Sequence, residues 1–150
     1  MIRTWSRLGV LTGLLVVAFA AQAQAHCELP CGIYGDQMRI RMMEEDLVTV
    51  EKSMRLIKEL QGAEEINYNQ LVRWVTNKES HANKIQEVVS QYFLTQRIKE
   101  KDQDYDKKLQ LLHQMLVSAM RCKQTTDQEH VDDLRKLIHD FETLYFKDAD

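Results

Sequence analysis

Residues 37–61 read QMRIRMMEEDLVTVEKSMRLIKELQ, and within them Met43, Leu47, Val50, Met54 and Ile57 alternate four and three apart. A helical turn of 3.6 residues places positions at those intervals on one stripe, so the spacing predicts a long helix with a single buried seam. Gly62 marks its exit. Three more segments carry the same period. The second runs from about Asn67 to Phe93, with Leu71, Trp74 or Val75, Ile85, Val88 and Tyr92 on its stripe. The third follows the polar run Lys99 to Asp104 and aligns Tyr105, Leu109, Leu112, Leu116 and Ala119. The fourth carries Leu134, Ile138, Phe141 and Tyr145, and Thr126 with Glu129 three residues later has the form of a capping box at its start. No segment shows the two-residue alternation of a strand, and the connections are short. The expected fold is all-α: an antiparallel up-down four-helix bundle over residues 37–150.

Composition agrees with that reading. The 150 residues include only five glycines and one proline, while Lys, Glu, Gln, Leu and Met are abundant. Charges of both signs are interspersed and the formal net charge is −3, so there is no basic stripe for nucleic acid. The runs Glu44-Glu45-Asp46 and Lys99-Glu100-Lys101-Asp102 read as solvated helix faces or ends.

Ahead of the helices, residues 1–25 read as an export signal. Arg3 and Arg7 supply positive charge with no acid, and Leu8 to Ala21 is apolar but short for a membrane span. Ala21-Gln22-Ala23-Gln24-Ala25 then offers small residues at the spacing a signal peptidase accepts. Cuts after Ala23 and after Ala25 both fit. The second is adopted here because it alone turns the His26 amine into a metal donor. It leaves about 125 residues, enough for one domain with a genuine core. Loss of Arg3 and Arg7 takes the net charge from −3 to −5. The mature chain is expected to be exported, periplasmic or extracellular, with no stable membrane insertion after cleavage.

Between signal and bundle, residues 26–36 begin His26-Cys27-Glu28-Leu29-Pro30-Cys31-Gly32-Ile33-Tyr34. Pro30 restricts Leu29 to extended geometry and bends the chain so that Cys31 returns toward Cys27, and Gly32 permits a turn that a side chain would obstruct. An amine on His26, the amide nitrogen of Cys27 and its thiolate would form two consecutive five-membered chelate rings, with Cys31 closing a planar set of two nitrogens and two sulfurs. Such a plane favours nickel(II) or copper(II) over zinc, which prefers tetrahedral sites. Metal binding would also drive thiol deprotonation. The His26 imidazole could then approach axially, an arrangement suited to a metal cycling between two oxidation states. Three cysteines in a small exported chain cannot all pair. Cys122 reads as a semi-buried spectator thiol. His81, His113, His130 and His139 are scattered over polar helical positions and suit a surface or interface better than a second metal site.

The run His26-Cys27-x-x-Pro30-Cys31-Gly32-x-Tyr34 closely resembles the nickel hook of nickel-containing superoxide dismutases, and Tyr92-Phe93 resembles a Tyr-Phe pair of the same family. The resemblance implies a homohexamer of four-helix bundles holding a nickel ion in each subunit. It also implies conversion of superoxide to hydrogen peroxide and dioxygen through a Ni(II)/Ni(III) cycle. By that likeness His26 supplies amine and axial imidazole, Cys27 amide nitrogen and thiolate, and Cys31 the second thiolate. Tyr34 would stand over the open face, ordering water or substrate. Where family members often carry Asp after the hook tyrosine and an acid after an Arg-Ile pair, this chain has Gly35 and Arg41. The carboxylate that would orient the imidazole is left open between Glu44 and Glu45, with Arg73 as a candidate arginine beside it. Arg39 or Arg41 could attract the anion locally. Two readings from other classes compete: an exported nickel or copper carrier without turnover, and a structural bundle in which Cys27 and Cys31 form a disulfide.

Overall fold

The seam of residues 37–61 is buried: Met43, Leu47, Val50, Met54 and Ile57 are each 3% exposed or less. In the computed structural model, which describes residues 32–147, they line one side of α1 (Asp36–Gln61). The export segment and the hook residues His26, Cys27 and Cys31 lie outside the described residues. Helix α2 (Tyr68–Glu87) opens on Asn67, whose side chain accepts from the Gln70 N–H at 3.1 Å. It runs without a break into a π-helical segment (Val88–Arg97), so the second helix extends beyond the Phe93 end expected from its stripe. Helices α3 (Tyr105–Gln124) and α4 (Gln128–Phe146) complete the set, and the described residues contain no strand. No helix among them is long and apolar enough to cross a membrane.

The pairing is that of an antiparallel bundle. Helix α1 packs on α2 and α4, and α3 packs on α2 and α4. Bonds between helix ends fix the directions. The start of α1 meets the end of the π segment and the end of α4, through Asp36 with Arg97 and Tyr145. Lys78, midway along α2 and before the π segment, donates to carbonyls at the end of α3. Ser118 near the end of α3 donates to the His130 carbonyl near the start of α4 at 3.0 Å. Each helix therefore runs opposite to its neighbours, as the short connections predicted.

Phe93 and Phe141 are the largest fully buried side chains, and Met43, Met54 and Met115 are buried in the same core. Ring centroids of Phe93 and Phe141 lie 4.9 Å apart at 79°, an edge-on contact. The α2 stripe is shifted toward the C-terminal half: Ala82, Ile85, Val88, Val89, Tyr92 and Phe93 are buried, whereas Val75 is exposed and Leu71 and Trp74 are half-buried.

Three local expectations are corrected. The capping box at Thr126 and Glu129 does not form, because the N-cap of α4 is one residue later, at Asp127, whose N–H donates to the Thr125 hydroxyl at 3.1 Å. Asp46 is not a solvated end of its charge run; it faces inward and sits 2.6 Å from His81 Nδ1, while Glu44 and Glu45 stay exposed. Cys122 is fully rather than partly buried.

Candidate metal centre

The donors read from the sequence, His26, Cys27 and Cys31, precede the described residues. What is described is the loop that follows Cys31, and the set of side chains that holds it. Gly32 adopts φ +75°, and an added Cβ would meet nothing within 4 Å, so glycine is needed there for backbone conformation rather than for space. Ile33 and Tyr34 are exposed, and the chain enters α1 through Gly35, whose carbonyl accepts the Arg39 N–H at 3.0 Å.

Asp36, the first residue of α1, is the hub. Arg97 grips both its oxygens, Nε to Oδ1 at 2.8 Å and Nη2 to Oδ2 at 2.7 Å. The Tyr92 hydroxyl donates to Oδ1, and the Tyr145 hydroxyl to Oδ2 at 2.9 Å. Burial would raise the Asp36 carboxyl, but the bonds from Arg97, Tyr92 and Tyr145 outweigh it, and the carboxyl lies below its ordinary range. Hydrogen bonding to Asp36 in turn raises Arg97, which stays charged. Burial first, and then the bond to the carboxylate, raises both Tyr92 and Tyr145, so both phenols remain neutral donors at neutral pH. Position N1 also sets the negative charge at the positive end of α1.

The π segment makes this convergence possible. In a regular α-helix, positions 92 and 97 would point about 140° apart. Here the turn is widened by one residue: the Ile98 N–H bonds the Phe93 carbonyl at 3.0 Å, and the Thr95 and Gln96 side chains reach carbonyls five residues back. Residues five apart then share a face, and Tyr92 and Arg97 both meet Asp36.

Tyr34 is held by the same residues. The Gly35 N–H donates to the Tyr92 hydroxyl at 2.9 Å, the Tyr34 and Tyr92 rings meet edge-on with centroids 6.1 Å apart, and the Arg97 guanidinium lies 4.2 Å from the Tyr34 ring centroid. Arg39 lies over the buried Tyr92 ring, 5.0 Å from its centroid, with Nη1 against the Met42 sulfur at 3.8 Å. Its Nε is buried with no hydrogen-bond partner, and it has no ion pair among the described residues.

Among the described residues no group of three or more His, Cys, Asp or Glu side chains is placed to hold a metal ion. Cys122 is enclosed, and burial pushes its thiol up to about 11, so it offers no thiolate near neutral pH. His113 and His139 are exposed, and His81 is engaged by Asp46. The donors expected of residues 26–31, an amine, an amide and two thiolates, would suit nickel.

The structure thus brings Tyr34, Tyr92 and Arg39 together. It leaves Glu44, Glu45 and Arg41 on exposed positions of α1, and Arg73 stacked near Trp74 with its Cζ 5.7 Å from the ring. Asp36, Arg97 and Tyr145 were missed from the sequence. An acid at the first position of a helix was the available signal for Asp36; Arg97 and Tyr145 had none, since their meeting depends on the π register and on the fold.

The family model described as nickel-containing superoxide dismutase matches residues 21–149. No curated protein and no solved structure matches the chain.

Proposed function

The chain belongs to the nickel-containing superoxide dismutase family, oxidoreductases that act on superoxide with a nickel cofactor, and from that premise we propose how its own residues serve the reaction. Cleavage after Ala25 frees His26 as the N-terminus. Its amine and imidazole, the amide nitrogen and thiolate of Cys27, and the thiolate of Cys31 are the nickel donors. Bound there, nickel would supply one-electron redox chemistry, a Ni(II)/Ni(III) couple, for converting superoxide to dioxygen and hydrogen peroxide. Each hydrogen peroxide takes up two protons. Tyr34 follows Cys31 by three residues, so the backbone cannot carry it further than about 10 Å away. In this reading its hydroxyl would order water or substrate for the reaction and assist proton delivery. Arg39, half-buried and without an acidic partner among the described residues, draws the anion in; exposed Arg41 contributes less. In this reading the mature enzyme is exported, to the periplasm or beyond the cell, and assembles as a homohexamer.

The observation that carries the proposal is the extent of the family match: residues 21–149 include both the hook and the whole bundle, so the two are matched as one unit. Mass spectrometry of the natively processed N-terminus, with metal analysis and a superoxide assay on the same sample, tests it. The expected result is a chain starting at His26 that carries stoichiometric nickel and removes superoxide. A start at Gln24, a Cys27–Cys31 disulfide without nickel, or nickel-replete protein without turnover overturns it.

A further inference from the structure

A carboxylate offers about four lone-pair sites, and those of Asp36 are all filled. Arg97 Nε and the Tyr92 hydroxyl occupy Oδ1, and Arg97 Nη2 and the Tyr145 hydroxyl occupy Oδ2. No lone pair is left free to ligate a metal or to take a proton near neutral pH, so any part that Asp36 plays in the reaction passes through its partners. Two of those partners lead to Tyr34. The Tyr92 hydroxyl, oriented by its bond to Asp36, turns a lone pair to the Gly35 N–H at 2.9 Å and so fixes the backbone one residue after Tyr34. The Arg97 guanidinium, held through two nitrogens by the carboxylate, lies over the Tyr34 ring with its Cζ 4.2 Å from the centroid. Packing does not do this job, because Tyr34 is 47% exposed and its neighbour Ile33 76%.

We propose that Asp36 is the positioning residue of Tyr34: one saturated carboxylate, joined to the ends of the π segment and of α4, holds Tyr92 and Arg97 in the orientations that place the Tyr34 ring. The catalytic part of this inference rests on the reading above in which Tyr34 serves the reaction; the geometric part does not depend on nickel. A misplacement of about 1 Å in a reacting group can lower a rate about a hundredfold, so loss of the clamp is expected to slow turnover without removing the metal donors.

The test uses the full mature chain labelled with 3-fluorotyrosine, the Tyr34 fluorine resonance being assigned by its disappearance in Tyr34→Phe. Asp36→Asn is expected to move or broaden that resonance with and without nickel, to keep the nickel content, and to lower kcat/KM about tenfold to a hundredfold. Arg97→Lys, which leaves the carboxylate and both phenol bonds but removes the flat cation, should move the same resonance, and it decides the question if Asp36→Asn does not fold. Lys78→Ala, at the opposite end of the bundle, measures what general destabilisation does, and should leave the resonance in place. The proposal is overturned if Asp36→Asn leaves the resonance unmoved, whatever happens to the rate, or if Lys78→Ala moves it as far. Wild-type protein that neither holds nickel nor removes superoxide would sink the functional reading alone, since the metal-free resonance still reports the positioning.

Discussion

Lys78 is buried in the bundle, and its ammonium donates to the carbonyl of Thr125 at 2.9 Å. It also donates to the Lys123 carbonyl, so a side chain from α2 closes the C-terminus of α3, where four carbonyls lack helical partners and a positive charge is favoured. Burial lowers the Lys78 pKa, which Glu79 and Cys122 only partly offset, yet the ammonium is retained by two charge-assisted bonds. Lys78→Ala should destabilise the protein by about 2–4 kcal/mol, since it strips both carbonyls of their donor and leaves a void. For a domain of this size the melting midpoint should fall by about 4–14 °C. Lys78→Met, which keeps most of the stem, should fall less. Equal midpoints for Lys78→Ala and wild type would show that the cap contributes nothing.

The Asp36 clamp has its own signature in acid and in base. Its carboxyl lies below the ordinary value of about 3.9, so the folded protein binds that proton less readily than the unfolded chain does. The stability it contributes is therefore complete above about pH 4 and is lost as pH falls through the folded value. Tyr92 and Tyr145 are raised, so their contribution is complete below about pH 10 and is lost as pH climbs toward their folded values. Thermal melts should show a steeper decline below about pH 4 in wild type than in Asp36→Asn, in which position 36 has no carboxylate to protonate. Parallel acid slopes for the two proteins would refute the assignment.

How much of this could be read in the chain divides by distance along it. The α1 seam was legible because five apolar residues at 3-4 spacing carry the whole signal within 15 residues, and each proved buried. The order of helices and their antiparallel pairing followed from short connections. Local polar detail was less secure: Asp46 looks like the third member of a solvated acidic run, and only the approach of His81 from α2 draws it inward. The clamp was not legible at all. It joins residue 36 to residues 92, 97 and 145, and it needs a π turn that no spacing in residues 88–97 announces. The metal donors present the opposite case, since they lie within six consecutive residues and are proposed from sequence chemistry, outside the described structure.

Cys122 allows the hook thiols to be counted separately. It is fully buried, with its thiol pushed up to about 11, so at pH 8 it should be neither ionised nor reachable. Native, reduced, metal-free protein should react quickly with a thiol reagent at two of its three cysteines, and the third should appear only on denaturation. Nickel should slow the two fast reactions and leave the third as it was, and Cys27→Ser with Cys31→Ser should remove both fast reactions and stoichiometric nickel binding. A fast-reacting thiol remaining in that double variant would have to be Cys122, and would contradict its enclosure.

Arg39 and Arg41 are two residues apart on α1, and charge alone does not distinguish them. Their surroundings do. Arg39 lies over the Tyr92 ring with a buried Nε that has no partner among the described residues, whereas Arg41 is exposed. A cation held against a low-dielectric surface acts more strongly on a nearby anion than one screened by water and salt. Arg39→Gln should therefore lower kcat/KM for superoxide several-fold at low ionic strength, with the deficit shrinking at about 0.5 M salt, where the Debye length is only a few ångströms. Arg41→Gln should change it by less than about twofold under the same conditions. If the two variants lose activity equally, the attraction is a property of net charge and the placement of Arg39 has no special part in it. If Arg39→Gln is slower by the same factor at every salt concentration, its role is to support Tyr92 rather than to attract the anion.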